Sequence, residues 1–131
     1  MNMLLRILML VALAIGMLHS SAGRAQKEKE DSCEGPIYSV KEVTRKARVT
    51  KITEPLYTDE ARAKRVQGKV IVTGVFCRNG KVTDVEVVQG LPYGLTESAI
   101  ETTRRIEFEP AEKDGQVVAQ RFTRECTFRL F

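Results

Sequence analysis

The stretch from Gln67 to Val88, QGKVIVTGVFCRNGKVTDVEVV, decides the fold because its pattern predicts a β-hairpin. The first arm, residues 69–77, is rich in β-branched residues, which pack well on a pleated sheet. Both faces of this arm carry apolar side chains, with Val70, Val72 and Phe76 on one and Ile71, Val75 and Cys77 on the other. The Asn79-Gly80 pair that closes the arm predicts a type I′ turn, which needs positive φ at both central residues.

The return arm, residues 82–88, shows an interrupted alternation of apolar side chains. Val82 and Val85 are three positions apart, whereas Val85 and Val87 are two apart. A step of three places an extra residue on the strand. The pattern therefore predicts a β-bulge near Asp84.

Two helices and a long final strand surround this hairpin. The first helix is predicted to begin after the N-cap Thr58 and to end at Gly68, a residue type favoured at helix ends. The second helix is predicted over residues 96–105. Its apolar positions form one helical face, made of Leu95, Ala99, Ile100, Thr103 and Ile106. The alternating pattern from Val117 to Phe131 predicts a final strand.

The element order helix, strand, strand, helix, strand predicts an α+β fold, with two helices packed on one face of a three-stranded antiparallel sheet. The tight hairpin makes its arms neighbours, and the second helix lets the last strand return beside the first arm. The predicted strand order is therefore 2-1-3, which leaves the C-terminal strand at an edge. Its arginines, Arg121, Arg124 and Arg129, would discourage random pairing there.

The N-terminal residues predict an exported protein. A basic start and an apolar run over residues 7–18 are typical of a secretory signal peptide, which we predict over residues 1–25. The alternative is that residues 7–18 stay in place as an inner-membrane anchor, although the run is short for a span. Residues 26–36 predict a disordered linker, and residues 37–131 predict one domain.

Charge and histidine content exclude several function classes. Removing the predicted signal peptide takes away Arg6 and Arg24 and lowers the formal net charge from +4 to +2, which argues against a nucleic-acid partner. The single histidine, His19, lies inside that signal. We therefore expect no triad catalysis and no histidine metal site. The sequence predicts no enzyme, no catalytic residue, no metal site and no cofactor.

Three cysteines leave the disulfide state open. Cys77 and Cys126 would fall on opposite faces if both strands alternate regularly, which argues against that pair. Cys33 lies in the predicted linker, from which a bond to Cys77 is possible. The alternative interpretation of Cys126 is a small buried apolar side chain.

A series of short motifs occurs in a specific order along the chain. In sequence they are Pro55 and Tyr57, Glu60-Ala61-Arg62, Val66-Gln67-Gly68-Lys69-Val70, Asn79-Gly80-Lys81-Val82, Gly94-Leu95, Ala99-Ile100, Arg104-Arg105, Phe108-Glu109-Pro110-Ala111, Asp114-Gly115 and Phe128-Arg129-Leu130. In this order they resemble the TonB C-terminal domain family. The resemblance covers roughly residues 37–131.

The resemblance implies a periplasmic interaction domain with an α+β fold. It implies that an extended peptide, the TonB box of an outer-membrane transporter, adds as a strand beside the last β-strand, as in other strand-addition complexes. Carried onto this chain, the peptide-binding residues are Arg121, Phe122, Thr123, Arg124, Glu125, Cys126 and Thr127, with Glu54 as a secondary contact. It further implies a role in TonB-dependent energy transduction and transport, with inner-membrane energising proteins as additional partners.

Four features depart from the family pattern. Glu54 stands where family members often have Gln, Thr58 stands where they often have Pro, and Ile106 stands where the second helix usually has Trp. An energy transducer of this family resembles a tether with a long Pro-rich spacer, whereas residues 26–54 span at most about 100 Å when fully extended. This short reach favours an alternative, a non-transducing envelope module that forms a strand-exchanged homodimer or binds peptidoglycan or an envelope protein.

Overall fold

The computed structural model describes residues 33–131. The predicted signal peptide, residues 1–25, lies outside the described residues, as does most of the predicted linker. Among the residues described, no helix has the length and apolar character needed to cross a bilayer.

Seven strands and two helices make up residues 33–131. The strands are β1 (Ile37–Tyr38), β2 (Arg48–Lys51), β3 (Gly68–Phe76), β4 (Val82–Gln89), β5 (Glu107–Glu109), β6 (Ala111–Lys113) and β7 (Gln116–Phe128), and the helices are α1 (Asp59–Ala63) and α2 (Leu95–Arg104). The predicted α+β class with two helices is confirmed.

The main sheet is larger than the predicted one and is mixed. Its order is β1-β7-β3-β4, with β6 also paired to β7, while β2 and β5 form a separate two-stranded sheet. A sheet of three antiparallel strands in the order 2-1-3 therefore does not describe it, because β1 pairs with β7 in parallel at Ala119 and Gln120. Strands of two or three residues are too short to show the alternation on which the prediction depends.

The turn between β3 and β4 differs from the predicted type. Gly80 has φ 86°, but Asn79 does not have positive φ, so a type I′ turn is wrong. The N–H of Gly80 donates to the carbonyl of Cys77, and the N–H of Cys77 donates to the carbonyl of Lys81, which makes a three-residue loop. The Asn79 side chain accepts from the Lys81 N–H at 3.0 Å and stabilises this alternative. The bulge is confirmed, since Asp84 has φ 51° and the register shifts there.

Both helices are short and depend on packing. The hydroxyl of Thr58 accepts from the N–H of Ala61 at 3.2 Å, which confirms the predicted N-cap of α1. That helix ends at Ala63 rather than at Gly68, because Arg65 takes a left-handed conformation, with φ 52°. A helix of five residues has few hydrogen bonds of its own, so burial of Ala61 holds it in place.

The core lies between the helices and one face of the sheet. Its first cluster joins both helices to β3 and β7 and contains Ala61, Val70, Val72, Leu95, Ala99, Cys126 and Phe128. A second cluster contains Phe76, Ile106, Phe108 and Phe122. The rings of Phe76 and Phe122 stack with their centroids 4.0 Å apart. The even-numbered residues of β7 thus face the helices.

The disulfide joins the N-terminal end of the described chain to the hairpin. Cys33 is bonded to Cys77 across 44 positions, and Cys126 is a free, buried thiol. Cys126 pairs with Val70, seven residues before Cys77 along β3, so the two are too far apart to form a disulfide.

Candidate functional site

The second half of β7 has one unpaired edge. Residues 121–128 pair with β3 on one side, and no strand within residues 33–131 pairs with their other side, which we call the open edge. The predicted edge position therefore holds for only part of this strand, because β1 covers Ala119 and Gln120. The strand also ends at Phe128 rather than continuing to Phe131.

The alternation of backbone groups identifies which residues face the open edge. In an antiparallel pair, the N–H and C=O of one residue point to the same neighbour, and successive residues alternate. The N–H of Cys77 donates to Lys81, so the odd residues of β3 face β4 and the even ones face β7. The β3–β7 register pairs Gly68 with Phe128 and continues without a shift. On β7, the backbone groups that face the open edge therefore belong to the odd residues, namely Arg121, Thr123, Glu125 and Thr127.

The side chains of β7 divide in the same way. The four odd residues have exposed side chains, whereas Phe122 and Cys126 are buried in the core and are 9% and 4% exposed. Phe122 and Cys126 therefore present neither an accessible side chain nor an outward backbone group. Among the exposed side chains, Glu125 forms an ion pair of 3.5 Å with Lys69 of β3.

The side chain of Arg124, on β7, hydrogen-bonds both to α2 and to the segment Thr53–Pro55. Its guanidinium donates to the hydroxyls of Thr102 and Thr103 on α2, at 3.2 and 3.1 Å. A further guanidinium N–H donates to the carbonyl of Thr53 at 2.8 Å. Both threonine hydroxyls also donate to carbonyls within α2, so their positions are fixed independently of Arg124. Arg124 thus fixes the segment Thr53–Pro55 beside β7.

Glu54 lies close enough to β7 to influence Cys126. Burial is the main reason why the pKa of the Cys126 thiol is raised, while the Arg124 guanidinium opposes this shift and the Glu54 carboxylate adds to it. Glu54 itself is exposed. The structure therefore brings the predicted secondary contact to the same side of the molecule as the C-terminal half of β7.

Sequence reasoning missed two apolar side chains at this place. Ile52 and Leu56 flank the anchored segment and are 50% and 72% exposed. The hydroxyl of Ser98 donates to the carbonyl of Leu56 at 2.9 Å and fixes the second of them. An apolar residue on each side of Thr53-Glu54-Pro55 was the available signal. It was not informative alone, because single exposed apolar residues are common.

An open depression of about 570 Å³ lies along residues 44–48 and is lined mainly by polar and charged residues. Nowhere in residues 33–131 do three His, Cys, Asp or Glu side chains come together as a possible metal site.

Comparison with known proteins assigns the domain. The family described as "Gram-negative bacterial TonB protein C-terminal" matches residues 53–130. The chain is 25% identical over 77 residues to protein TonB of Pseudomonas aeruginosa, a match that covers 58% of this chain and 22% of that protein. The chain thus matches less than a quarter of the length of this relative.

A solved structure supports the same fold. The solution NMR structure of the Pseudomonas aeruginosa TonB CTD superposes with a TM-score of 0.55 and 21% sequence identity, and the match covers 71% of this chain and 93% of that one. The two helices, the β3–β4 hairpin and β7 all lie within the residues that the family matches. The protein therefore belongs to the TonB C-terminal domain family.

Proposed function

We propose that this domain binds an extended peptide by strand addition along the open edge of β7. The peptide we expect is the TonB box of an outer-membrane transporter, and the compartment we expect is the periplasm. The family is periplasmic or envelope-associated, which agrees with this placement. The observation that supports the proposal most directly is the unpaired edge over residues 121–128.

The open edge offers a repeating set of hydrogen-bonding groups. Four residues direct an N–H and a C=O away from β3, as the register requires, and at Thr123, Glu125 and Thr127 both groups are also free of β1. An incoming strand pairs with these groups whatever its side chains are, so affinity comes mainly from the backbone. The exposed arginines keep unrelated strands from pairing there, because charged edges disfavour aggregation.

The segment Thr53–Pro55 supplies a second contact. Arg124 holds it against α2, which leaves Glu54 exposed between the exposed side chains of Ile52 and Leu56. A partner that places apolar side chains over this segment gains burial at about 25 cal/mol per Å². We therefore expect partner selection to depend on this segment more than on β7 itself.

Energy transduction is the wider role that this binding would serve. A transducer must also contact inner-membrane energising proteins. Because the chain corresponds to a small part of the TonB relative, we assign only the peptide-binding step to the described domain.

A second candidate uses the same edge. The open edge of residues 121–128 also offers room for a strand from a second copy of this chain, which would give a strand-exchanged homodimer. Peptidoglycan or another envelope component would be a different partner of the same module. Sedimentation of the mature chain at several concentrations separates these cases, since a concentration-independent monomer excludes the dimer.

The peptide-binding proposal is tested by titration with a synthetic TonB-box peptide from a Pseudomonas aeruginosa outer-membrane transporter, followed by backbone amide shifts. The largest shifts are expected at the amides of Thr123, Glu125 and Thr127, because the parallel pairing of Tyr38 with Gln120 already engages the N–H of Arg121. Thr123→Pro removes one outward N–H while leaving the β3 pairing intact, since proline is tolerated where the N–H points away from the sheet. Thr123→Ala keeps that N–H and is the matched control. No shift at millimolar peptide, or equal binding by both variants, would refute strand addition.

A further inference from the structure

Residues 33–47 form an extension that precedes the residues matched by the family. The family match begins at residue 53, yet the extension packs closely on the domain. Its strand β1 lies on the same edge of β7 as the proposed peptide, because Gln120 pairs with Tyr38 on one side and with Phe76 of β3 on the other. The extension therefore has a position that bears on the proposed site.

β1 pairs with the next residue of β7 whose backbone groups point away from β3. Counting back from Thr127, Glu125, Thr123 and Arg121, the next odd residue is Ala119, whose partner is Ile37. In a parallel pair a residue bonds to the two residues that flank its partner, so the Tyr38–Gln120 pair also engages the N–H of Arg121. An incoming strand can thus pair from the C=O of Arg121 onward but meets β1 before it. The edge left open is eight residues, which corresponds to about 27 Å at roughly 3.4 Å per residue.

A turn carries the chain away from the edge directly after β1. The N–H of Ser39 donates to the carboxylate of Glu42 at 2.7 Å, and the N–H of Glu42 donates back to the carbonyl of Ser39 at 3.1 Å. These bonds close the turn, so β1 stops after two residues and does not extend beyond the N–H of Arg121. The boundary between the covered and the open parts of β7 is therefore fixed by hydrogen bonds.

Contacts on both sides of β1 hold it in place. Before it, the Cys33–Cys77 disulfide attaches the chain to the end of β3. At β1 itself, the ammonium of Lys113 lies 4.4 Å from the centre of the Tyr38 ring. After it, the backbone of Arg45 exchanges two hydrogen bonds of 2.9 Å with that of Glu112. A two-residue strand would not persist without such attachments.

We propose that β1, fixed by the Cys33–Cys77 disulfide, acts as a stop that sets the register and the length of the strand added to β7. This inference rests on the strand addition proposed above. It assigns a specificity role to residues outside the matched family region: a peptide must place its pairing segment within eight residues, beginning opposite Arg121. Peptides whose pairing segment extends further would have to shift register or displace β1.

The test uses the full chain and the same synthetic TonB-box peptide, with a nitroxide label at one end or the other. Ile37→Pro/Tyr38→Pro removes both N–H groups of β1, and Ile37→Ala/Tyr38→Ala keeps them as the matched control. In the parent and the alanine variant, we expect peptide to protect the amides of Thr123, Glu125 and Thr127 from hydrogen exchange and to leave Ala119 paired with β1. In the proline variant, Ala119 should exchange about tenfold faster or more without peptide, as expected when a local contact worth roughly 1.4 kcal/mol is lost.

Addition of peptide to the proline variant should restore protection at Ala119. It should also move the broadening caused by the label two residues along β7. Cys33→Ser/Cys77→Ser should show part of the same gain in Ala119 protection and shift of the broadening when peptide is added. This variant tests the proposal if the proline variant does not fold. An unchanged footprint in these variants overturns the stop while leaving strand addition intact. Displacement of β1 by peptide in the parent would also overturn the stop and leave strand addition intact. Absence of binding to the parent and to every variant overturns both proposals.

Discussion

The side-chain carbonyl of Gln120 accepts a hydrogen bond of 2.8 Å from the backbone N–H of Ala47, 73 positions away in the chain. Gln120 is 4% exposed, so this buried amide is used to hold the extension against β7. The bond lies at the boundary where β1 ends and the open edge begins. One polar side chain therefore joins the extension to the strand proposed to bind peptide.

Gln120→Leu is expected to lower the free energy of unfolding by about 1–2 kcal/mol, because the Ala47 N–H would lose its partner in a half-buried position. Urea unfolding measures the change. Gln116→Leu, at an exposed position of the same strand, is the control and should change stability by less than about 0.5 kcal/mol. Equal effects of the two substitutions would contradict the role assigned to the bond.

Arg124→Met should detach the segment Thr53–Pro55 from β7. The methionine preserves much of the packing but removes the donors to Thr53 and α2, which should cost about 1–2 kcal/mol. Arg121→Met removes a positive charge from an exposed position on the same strand and should cost under about 0.5 kcal/mol. A lower backbone heteronuclear NOE at Glu54 in the first variant alone would support the attachment. An unchanged NOE would argue that other contacts hold the segment.

Gly74→Ala should be destabilising because a Cβ at this position would lie 2.7 Å from the Phe122 ring. That ring is stacked on Phe76, so it cannot move without loosening the second core cluster. We expect a loss of about 1–3 kcal/mol, as is usual for overpacking. Adding Phe122→Leu to the alanine variant should recover part of the loss. Strictly additive effects in this double-mutant cycle would contradict the contact.

Stability should fall at alkaline pH because of Cys126. Burial raises the pKa of this thiol, so the folded state keeps its proton at a pH where the unfolded chain, titrating near about 8.5, loses it. The contribution is fully present below that pH and is lost as the pH rises toward the folded pKa. Between pH 7 and about 9.5 the parent should therefore lose more stability than Cys126→Ala, which has no thiol to titrate. Equal losses in urea unfolding of the two proteins would exclude the effect.

The long elements were predictable because their periodicity is strong. The alternation in β3 and β7 and the helical face of α2 predicted strands and a helix close to the observed ones. The extra step between Val82 and Val85 identified the bulge at Asp84, since a bulge changes the parity of the side chains. The parity of the cysteines likewise argued against a Cys77–Cys126 bond.

The short elements were not predictable for a physical reason. β1 has two residues and β6 has three, and their pairing is decided by tertiary contacts such as those of Tyr38 and Glu112. The turn at Asn79 was mispredicted because its side chain stabilises a three-residue loop, and the Asn-Gly pair fits both loops. The candidate site was also only partly predictable from the sequence. Alternation placed Phe122 and Cys126 in the core, but only the register showed which backbone groups of β7 face outward.

The disulfide has a mechanical consequence. Tension applied to the chain ahead of Cys33 is transmitted through the sulfur atoms to Cys77, which directly follows β3. Everything between those two cysteines, including β1, β2 and α1, is bypassed by the load. β3 also lies between the two cysteines, so the pull acts lengthwise on β4, whose backbone hydrogen bonds to β3 must break together rather than one after another. An oxidised domain should withstand traction from its N-terminal side far better than a reduced one.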